Sequence, residues 1–168
     1  MTLALDRDQI QIRRRLRPGD TRAIAELHRR VYGPEYGMND DFVAAVAATL
    51  EQAVASGWPQ DAGAVWIVEQ DGRTCGSLAL TAEDERRGQL RWFVFEAALR
   101  GRGLGRSLLS ELLATARDAG MQRLELDTFS ALDTAARLYR GVGFEVVSER
   151  GRSDWGPRIV YQHYTLAL

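Results

Sequence analysis

LRWFVFEAALRGRGLGRSLL, residues 90–109, decides how this chain folds. It reads as a strand, a short loop rich in glycine and arginine, and the start of a helix. Residues 90–95 are aromatic and β-branched with no polar interruption after Arg91, as expected of a strand buried on both faces. Arg100-Gly101-Arg102-Gly103-Leu104-Gly105 follows. Leu104, Leu108 and Leu112 then recur at helical spacing, with Leu109 and Leu113 beside them. Glycine lets a backbone come close to a ligand, and the first turn of a helix leaves N–H groups without partners. Together with the positive end of the helix dipole and three arginines, these groups suit a phosphorylated ligand. A plain helix cap needs one glycine, and this loop has three. A dinucleotide site of the Rossmann kind wants a further glycine and an acid after the next strand of an early β-α-β unit, and the loop fits that pattern poorly.

Outward from this stretch, turn and period signals divide the chain. Residues 1–9 read as a frayed lead-in. A first strand over residues 10–16 ends at Arg17-Pro18-Gly19-Asp20, where Asp20 is the expected N-cap of a helix over residues 21–32. Gly33-Pro34 is expected to break that helix, and Asn39 or Asp40 to cap a second one over residues 41–56. AVWIVE (64–69) and residues 74–81 flank Asp71-Gly72, a strong hairpin signal. A polar turn then leads into the central strand. Beyond the helix over residues 103–119, a strand is expected at 123–128, a helix at 133–140, and strands at 143–149 and 158–166. The order β-α-α-β-β-β-α-β-α-β-β makes an α/β (α+β) domain with a mixed sheet, one domain over residues 1–168.

Composition narrows the function. The apolar content of 45% and the charged content of 27% are those of a soluble globular protein. A net charge of −1 argues against a general nucleic-acid binder. All 22 basic residues are arginine, which excludes a Schiff-base lysine and suggests a GC-rich bacterial genome. The one cysteine, Cys75, cannot form an internal disulfide, so a reducing cytoplasm is the expected location. The N-terminal residues lack the apolar core of a signal peptide, and no apolar run approaches membrane-spanning length. Cys and His are too few for a metal cluster, and two histidines lend little to a histidine-based triad. Arg13-Arg14-Arg15 on a strand would split between faces and reads as a solvated or dimer-facing edge.

Two motifs in order resemble the GNAT superfamily of acyl-CoA-dependent N-acyltransferases. Arg100, Gly103 and Gly105 meet its Arg/Gln-x-x-Gly-x-Gly/Ala signature between a strand and an amphipathic helix. Ala135, Leu138, Tyr139, Gly143 and Phe144 meet a second, Ala-x-x-Leu-Tyr followed shortly by Gly-Phe. Thr128-Phe129-Ser130-Ala131-Leu132, Trp155-Gly156 and Glu35-Tyr36-Gly37 look closer still to the acetyltransferase half of bacterial MarR-type regulator fusions. Without the regulator half, control of a DNA target is not implied. The resemblance implies a mostly antiparallel sheet of about seven strands flanked by about four helices, acetyl-CoA as co-substrate, no metal, an amine acceptor, and a homodimer.

It also implies roles. Backbone groups of Arg100, Gly101, Arg102, Gly103, Leu104, Gly105 and Arg106 would bind the pyrophosphate of acetyl-CoA. Phe93, Val94 and Phe95 would offer main-chain groups to the pantetheine arm where their strand splays from the next. Tyr139 would be the general acid for the departing thiolate, a donor that stays protonated at neutral pH, or else a core tyrosine. Leu132 stands where the family usually has an asparagine. The general base has two candidates, Glu96 after the central strand and Asp127 at the end of the paired strand. Glu35 and Tyr36 are expected to contact the acceptor, whose identity as a small-molecule or protein amine is open. Trp66, Trp92, Trp155 and His163 could line an acceptor pocket or simply fill the core. A non-catalytic acyl-CoA sensor shares the same loop and is the alternative to an enzyme.

Overall fold

The computed structural model describes residues 10–168; the expected lead-in at residues 1–9 lies outside the described residues. The elements run β1 (Ile10–Arg13), α1 (Asp20–Tyr36), α2 (Asp40–Ala55), β2 (Ala64–Gln70), β3 (Arg73–Ala82) and β4 (Arg87–Phe95). A single 3-10 turn, Ala97–Leu99, leads to α3 (Leu104–Asp118), β5 (Arg123–Phe129), α4 (Asp133–Gly141), β6 (Glu145–Arg152) and β7 (Ile159–Ala167). The strands form one seven-stranded sheet in the order β1-β2-β3-β4-β5-β7-β6. Every neighbouring pair is antiparallel except β4 and β5, which the α3 crossover makes parallel.

Both faces of the sheet are covered, which is why β2 and the middle of β3 are buried without alternation. On one face Leu108, Leu109 and Leu112 of α3 pack with Leu124, Leu126, Tyr139 and Tyr164. Each of those leucines is 0–1% exposed, and burial of each contributes about 2 kcal/mol. Cutting Leu112 back to alanine would leave a void and cost roughly 2–5 kcal/mol. On the other face α1 and α2 lay Ile24, Leu27, Val31 and Leu50 over Val65, Ile67, Val94 and Phe129. Asp71 and Gly72, both at positive φ (53° and 75°), close the β2–β3 hairpin as the Asp-Gly signal predicts.

Two sequence expectations need correction. The first helix does not break at Gly33-Pro34. It runs through Pro34 to Tyr36 and ends at Gly37, whose φ of 70° turns the chain while its N–H donates to the Gly33 carbonyl. Proline in the last turn removes a single helical donor, and the rings of Tyr32 and Tyr36, set edge-on against Phe129, hold that turn in place. At the other end Gly19, not Asp20, is the cap. Asp20 is buried and takes a two-pronged ion pair from Arg13 at 2.7 and 2.8 Å, and Arg13 also reaches Glu69 at 2.6 Å. Arg13 is thus a half-buried clasp that ends β1, and not part of a solvated edge.

The sheet is least continuous at its centre. β4 and β5 pair only as Arg87 with Arg123, Gly88 with Leu124 and Gln89 with Glu125. Past that point β4 continues to Phe95 and β5 to Phe129 without pairing, and the two strands diverge.

Candidate active site

The divergence opens a cleft of about 290 Å³. Its walls include Arg91, Trp92 and Phe93 of β4, Asp127 and Phe129 of β5, and Tyr139 of α4. Tyr32, Phe42 and Thr49 roof it from α1 and α2, and Trp155 and Tyr161 close one end. A β-bulge shapes the β4 wall. Ser77 pairs with Val94 and Ala79 with Arg91, so Trp92 and Phe93 together oppose Leu78. Trp92 sits at φ 47°, a strained value for a non-glycine residue, held by its ring against Trp58 and by Nε1 donating to Thr49 Oγ1 at 3.2 Å.

The glycine loop fits a pyrophosphate. Gly101 and Gly103 lie at φ 77° and 78°, values that favour glycine, and a Cβ on either would meet no atom within 4 Å. Helix α3 starts at Leu104 without a side-chain cap, so its first-turn N–H groups face that open space. Gly105 differs: a Cβ there would stand 3.4–3.7 Å from Phe93, Phe95 and Leu138, an ordinary contact. Arg100 corrects the picture of three arginines converging on the loop. Its guanidinium is held two-pronged by Glu35 at 2.6 and 2.7 Å and also donates to the Phe95 carbonyl. Two of the main-chain carbonyls expected to meet pantetheine are likewise engaged: Phe95 by Arg100, and Phe93 by the Tyr32 hydroxyl at 3.4 Å. Val94 turns its side chain into the core between α1 and Phe129. The exposed Arg102 and Arg106 flank the start of the helix.

Tyr139 reaches the cleft from α4, and among the described residues its hydroxyl makes no hydrogen bond. Phe93, Phe144 and Tyr164 surround its ring. That burial raises its pKa above the usual phenol value, so it holds its proton throughout the neutral range.

The two acids proposed as base part company. Glu96 does not line the cleft; Arg73 grips both its oxygens at 2.7 and 2.8 Å, and Arg30 adds a contact at 3.0 Å. Asp127 lines the cleft, accepts from Gln89 Nε2 at 3.4 Å and meets His163 Nδ1 at 2.7 Å. The pairing follows from register, since Asp127 and His163 are cross-strand partners on β5 and β7. On the other side of the ring Glu125 lies 3.9 Å from His163 Nε2. Histidine therefore enters the site through an acid dyad that a scan for triads passes over.

Glu35 and Tyr36 do not reach the cleft. Glu35 is committed to Arg100, whose hydrogen bonds hold its carboxyl below the usual carboxylate range, and Tyr36 packs behind Phe129. Of the tryptophans, Trp66 is core, with Nε1 donating to Glu111, while Trp92 and Trp155 line the cleft. Sequence reasoning missed His28 and Arg91. Buried His28 has Nδ1 at 2.7 Å from the Ile24 carbonyl, which fixes the proton on that nitrogen; burial pushes its pKa down to about 4. Arg91 is half-buried with its guanidinium over the Trp92 ring, and desolvation lowers its pKa against the pull of Glu83 and Asp127. An arginine leading an apolar strand run was the signal available for it.

The connection between β6 and β7 fastens the roof. Asn39, which caps α2 by accepting from Phe42 N–H, donates to the Asp154 carbonyl, and its own N–H donates to Trp155 O at 2.9 Å. Gly156, at φ 115°, lies so near Gly37 that a Cβ would meet the Gly37 carbonyl at 2.8 Å. Among the described residues no helix is long and apolar enough to cross a membrane.

The model of the acetyltransferase (GNAT) family matches residues 22–144. The uncharacterised N-acetyltransferase YjgM of Escherichia coli is 33% identical over 140 residues, 82% of this chain and 83% of that protein. The N-alpha-acetyltransferase RimI of Mycobacterium tuberculosis is 41% identical over 87 residues, 48% of this chain and 53% of that one. In structure, YncA of Salmonella typhimurium, solved with its cofactor acetyl-CoA, superposes with a TM-score of 0.69 at 22% identity, covering 96% of this chain and 95% of its own. An acetyltransferase of Streptococcus agalactiae gives 0.71 at 20% identity over 95% and 98%.

Proposed function

The chain belongs to the acetyltransferase (GNAT) family, and we propose that it transfers an acetyl group from acetyl-CoA to a primary amine, of a small molecule in preference to a protein. The observation that carries this reading is convergence. The stretch of β4 that leaves β5 unpaired and the free hydroxyl of Tyr139 meet at the gap between the two strands, and the uncapped start of α3 adjoins it, Gly105 lying beside Phe93.

The residues fit the donor. The main chain at Gly101, Gly103 and Leu104 would hold the pyrophosphate, and the bulged β4 the pantetheine arm. Acetyl-CoA supplies a thioester; the amine nitrogen attacks its carbonyl carbon, a C–N bond forms, the C–S bond breaks, and free thiol leaves. Tyr139 holds the proton that the leaving sulfur takes up. The proton lost by the ammonium goes to Asp127 and its partner His163, which replace Glu96 as the proposed base. Rate comes chiefly from holding the two reactants together in the gap.

Thr128, Phe129, Leu132 and Trp155, from two of the segments that carry the closer likeness to regulator fusions, line the cleft. A cytoplasmic setting accords with the buried, unpaired Cys75, and the homodimer rests on family likeness. Incubating the protein with acetyl-CoA and a panel of amines, with free thiol as readout, tests the proposal. Thiol release that depends on the amine is expected; tight acetyl-CoA binding without release for any amine would identify a sensor instead.

A further inference from the structure

Side chains on one face of a strand recur every second residue. Gln89 and Glu125 form the last pair between β4 and β5, so the next residues on that face are Arg91 and Asp127. In an unbroken ladder those two would lie opposite each other. The splay holds them apart, both lining the cleft, with no ion pair between them. Asp127 is engaged by Gln89 and His163, yet it still faces the opening. Among the described residues Arg91 makes no ion pair; its guanidinium lies 4.4 Å from the Trp92 ring, and Glu83 and Asp127 act on it only through space. The other arginine lining the cleft, Arg152, is matched by Asp154 at 2.6 and 2.8 Å. A half-buried guanidinium that makes no ion pair is poised for a carboxylate, whose two oxygens suit its fork.

We propose that the acceptor is a free α-amino acid with a large apolar side chain, its carboxylate held by Arg91 and its amine directed to Asp127. The proposal rests on the acetyl-transfer reading. A cation and an anion kept on opposite banks of one gap complement a zwitterion, whereas a dianionic phosphate would meet repulsion from Asp127. Trp92, Phe129, Trp155 and Tyr161 give the side chain an aromatic enclosure. At about 290 Å³ the cleft suits one amino acid better than a peptide. The N-terminus of a peptide brings no α-carboxylate and would leave Arg91 unmatched.

The test compares phenylalanine, phenylalaninamide and phenethylamine as acceptors at saturating acetyl-CoA. Phenylalanine is expected to exceed the other two in kcat/KM by about 10- to 100-fold. Arg91→Gln should collapse that ratio to within about threefold, and Arg91→Lys, which keeps charge but not the fork, should leave an intermediate ratio. Equal use of the three acceptors, or a preference that survives Arg91→Gln, overturns the proposal. Calorimetry of phenylalanine binding to the CoA-bound protein reads the anchor apart from chemistry. Binding lost in Arg91→Gln supports it, and absence of binding in the wild type overturns it. Acetylation confined to amines without a carboxylate would remove this inference and leave the transferase reading intact. Arg91-dependent binding with no thiol release for any amine would do the reverse.

Discussion

At the start of α3 the groups left open are main-chain N–H groups, set by two glycines at positive φ and by the lack of a side-chain cap. Across the gap, under α1 and α2, they are side chains: Arg91, Asp127 and a ring of aromatics drawn from six elements and the β6–β7 connection. The first region depends on backbone conformation and tolerates exchange of its side chains; the second depends on which side chains the register brings together. Main-chain recognition suits a ligand part that never changes, and side-chain recognition suits one that must be told apart from its analogues.

The comparison can be broken most forcefully at Gly103. Gly103→Val puts a β-branched residue at φ 78° and its side chain into the open space before α3. Acetyl-CoA affinity by calorimetry should fall by about two orders of magnitude or more, with a stability loss of about 1–3 kcal/mol. Gly105→Ala, whose Cβ meets only ordinary contacts, should stay within about threefold of wild type. Where the two regions meet, Tyr139→Phe should lower kcat by about 10²- to 10³-fold while KM for acetyl-CoA barely moves, as read by steady-state kinetics.

His28 gives the acceptor side a pH signature. Its pKa is about 4 in the fold against an ordinary 6.5, so between those values the unfolded chain binds the extra proton. Stability therefore declines as pH falls from about 6.5 to about 4, by about 3 kcal/mol, and the penalty stays constant below. Urea denaturation across that range should show the decline, and His28→Gln should flatten it. Glu35, whose carboxyl is depressed by Arg100, contributes above the ordinary carboxylate range and loses that contribution only at lower pH, so the two effects separate. The smallest effects distinguish the acids. Asp127→Asn should lower kcat/KM for the amine by about 10- to 100-fold, whereas Glu96→Gln should leave it within about twofold and cost about 1 kcal/mol of stability.

Much of the fold was readable because its signals are local. Asp71-Gly72, Asn39 before α2 and the leucine spacing of α3 act within a few residues of where they stand. The extent of α1 was not, since tertiary packing of Tyr32 and Tyr36 on Phe129, almost a hundred residues away, carries the helix through Pro34. The conformation of the glycine loop was visible for the same reason as the hairpin: glycines at a fixed spacing report backbone geometry. Glu35 and Glu96 misled because an acid's neighbours in space decide its role, and Arg100, Arg73 and Arg30 are far from them in sequence. Asp127 was named as a candidate, but its partner His163 became visible only with the register of β5 on β7.

The join between β4 and β5 has a mechanical consequence. With three residue pairs it is the shortest ladder in the sheet, so the sheet is two stiff plates, β1–β4 and β5–β7–β6, welded along one edge. The weld lies at one end and the cleft at the other, so the gap lies between strands whose other ladders are all intact. The opening is written into the hydrogen bonding, where pairing ends past Gly88 and Gln89, and needs no loop to form it.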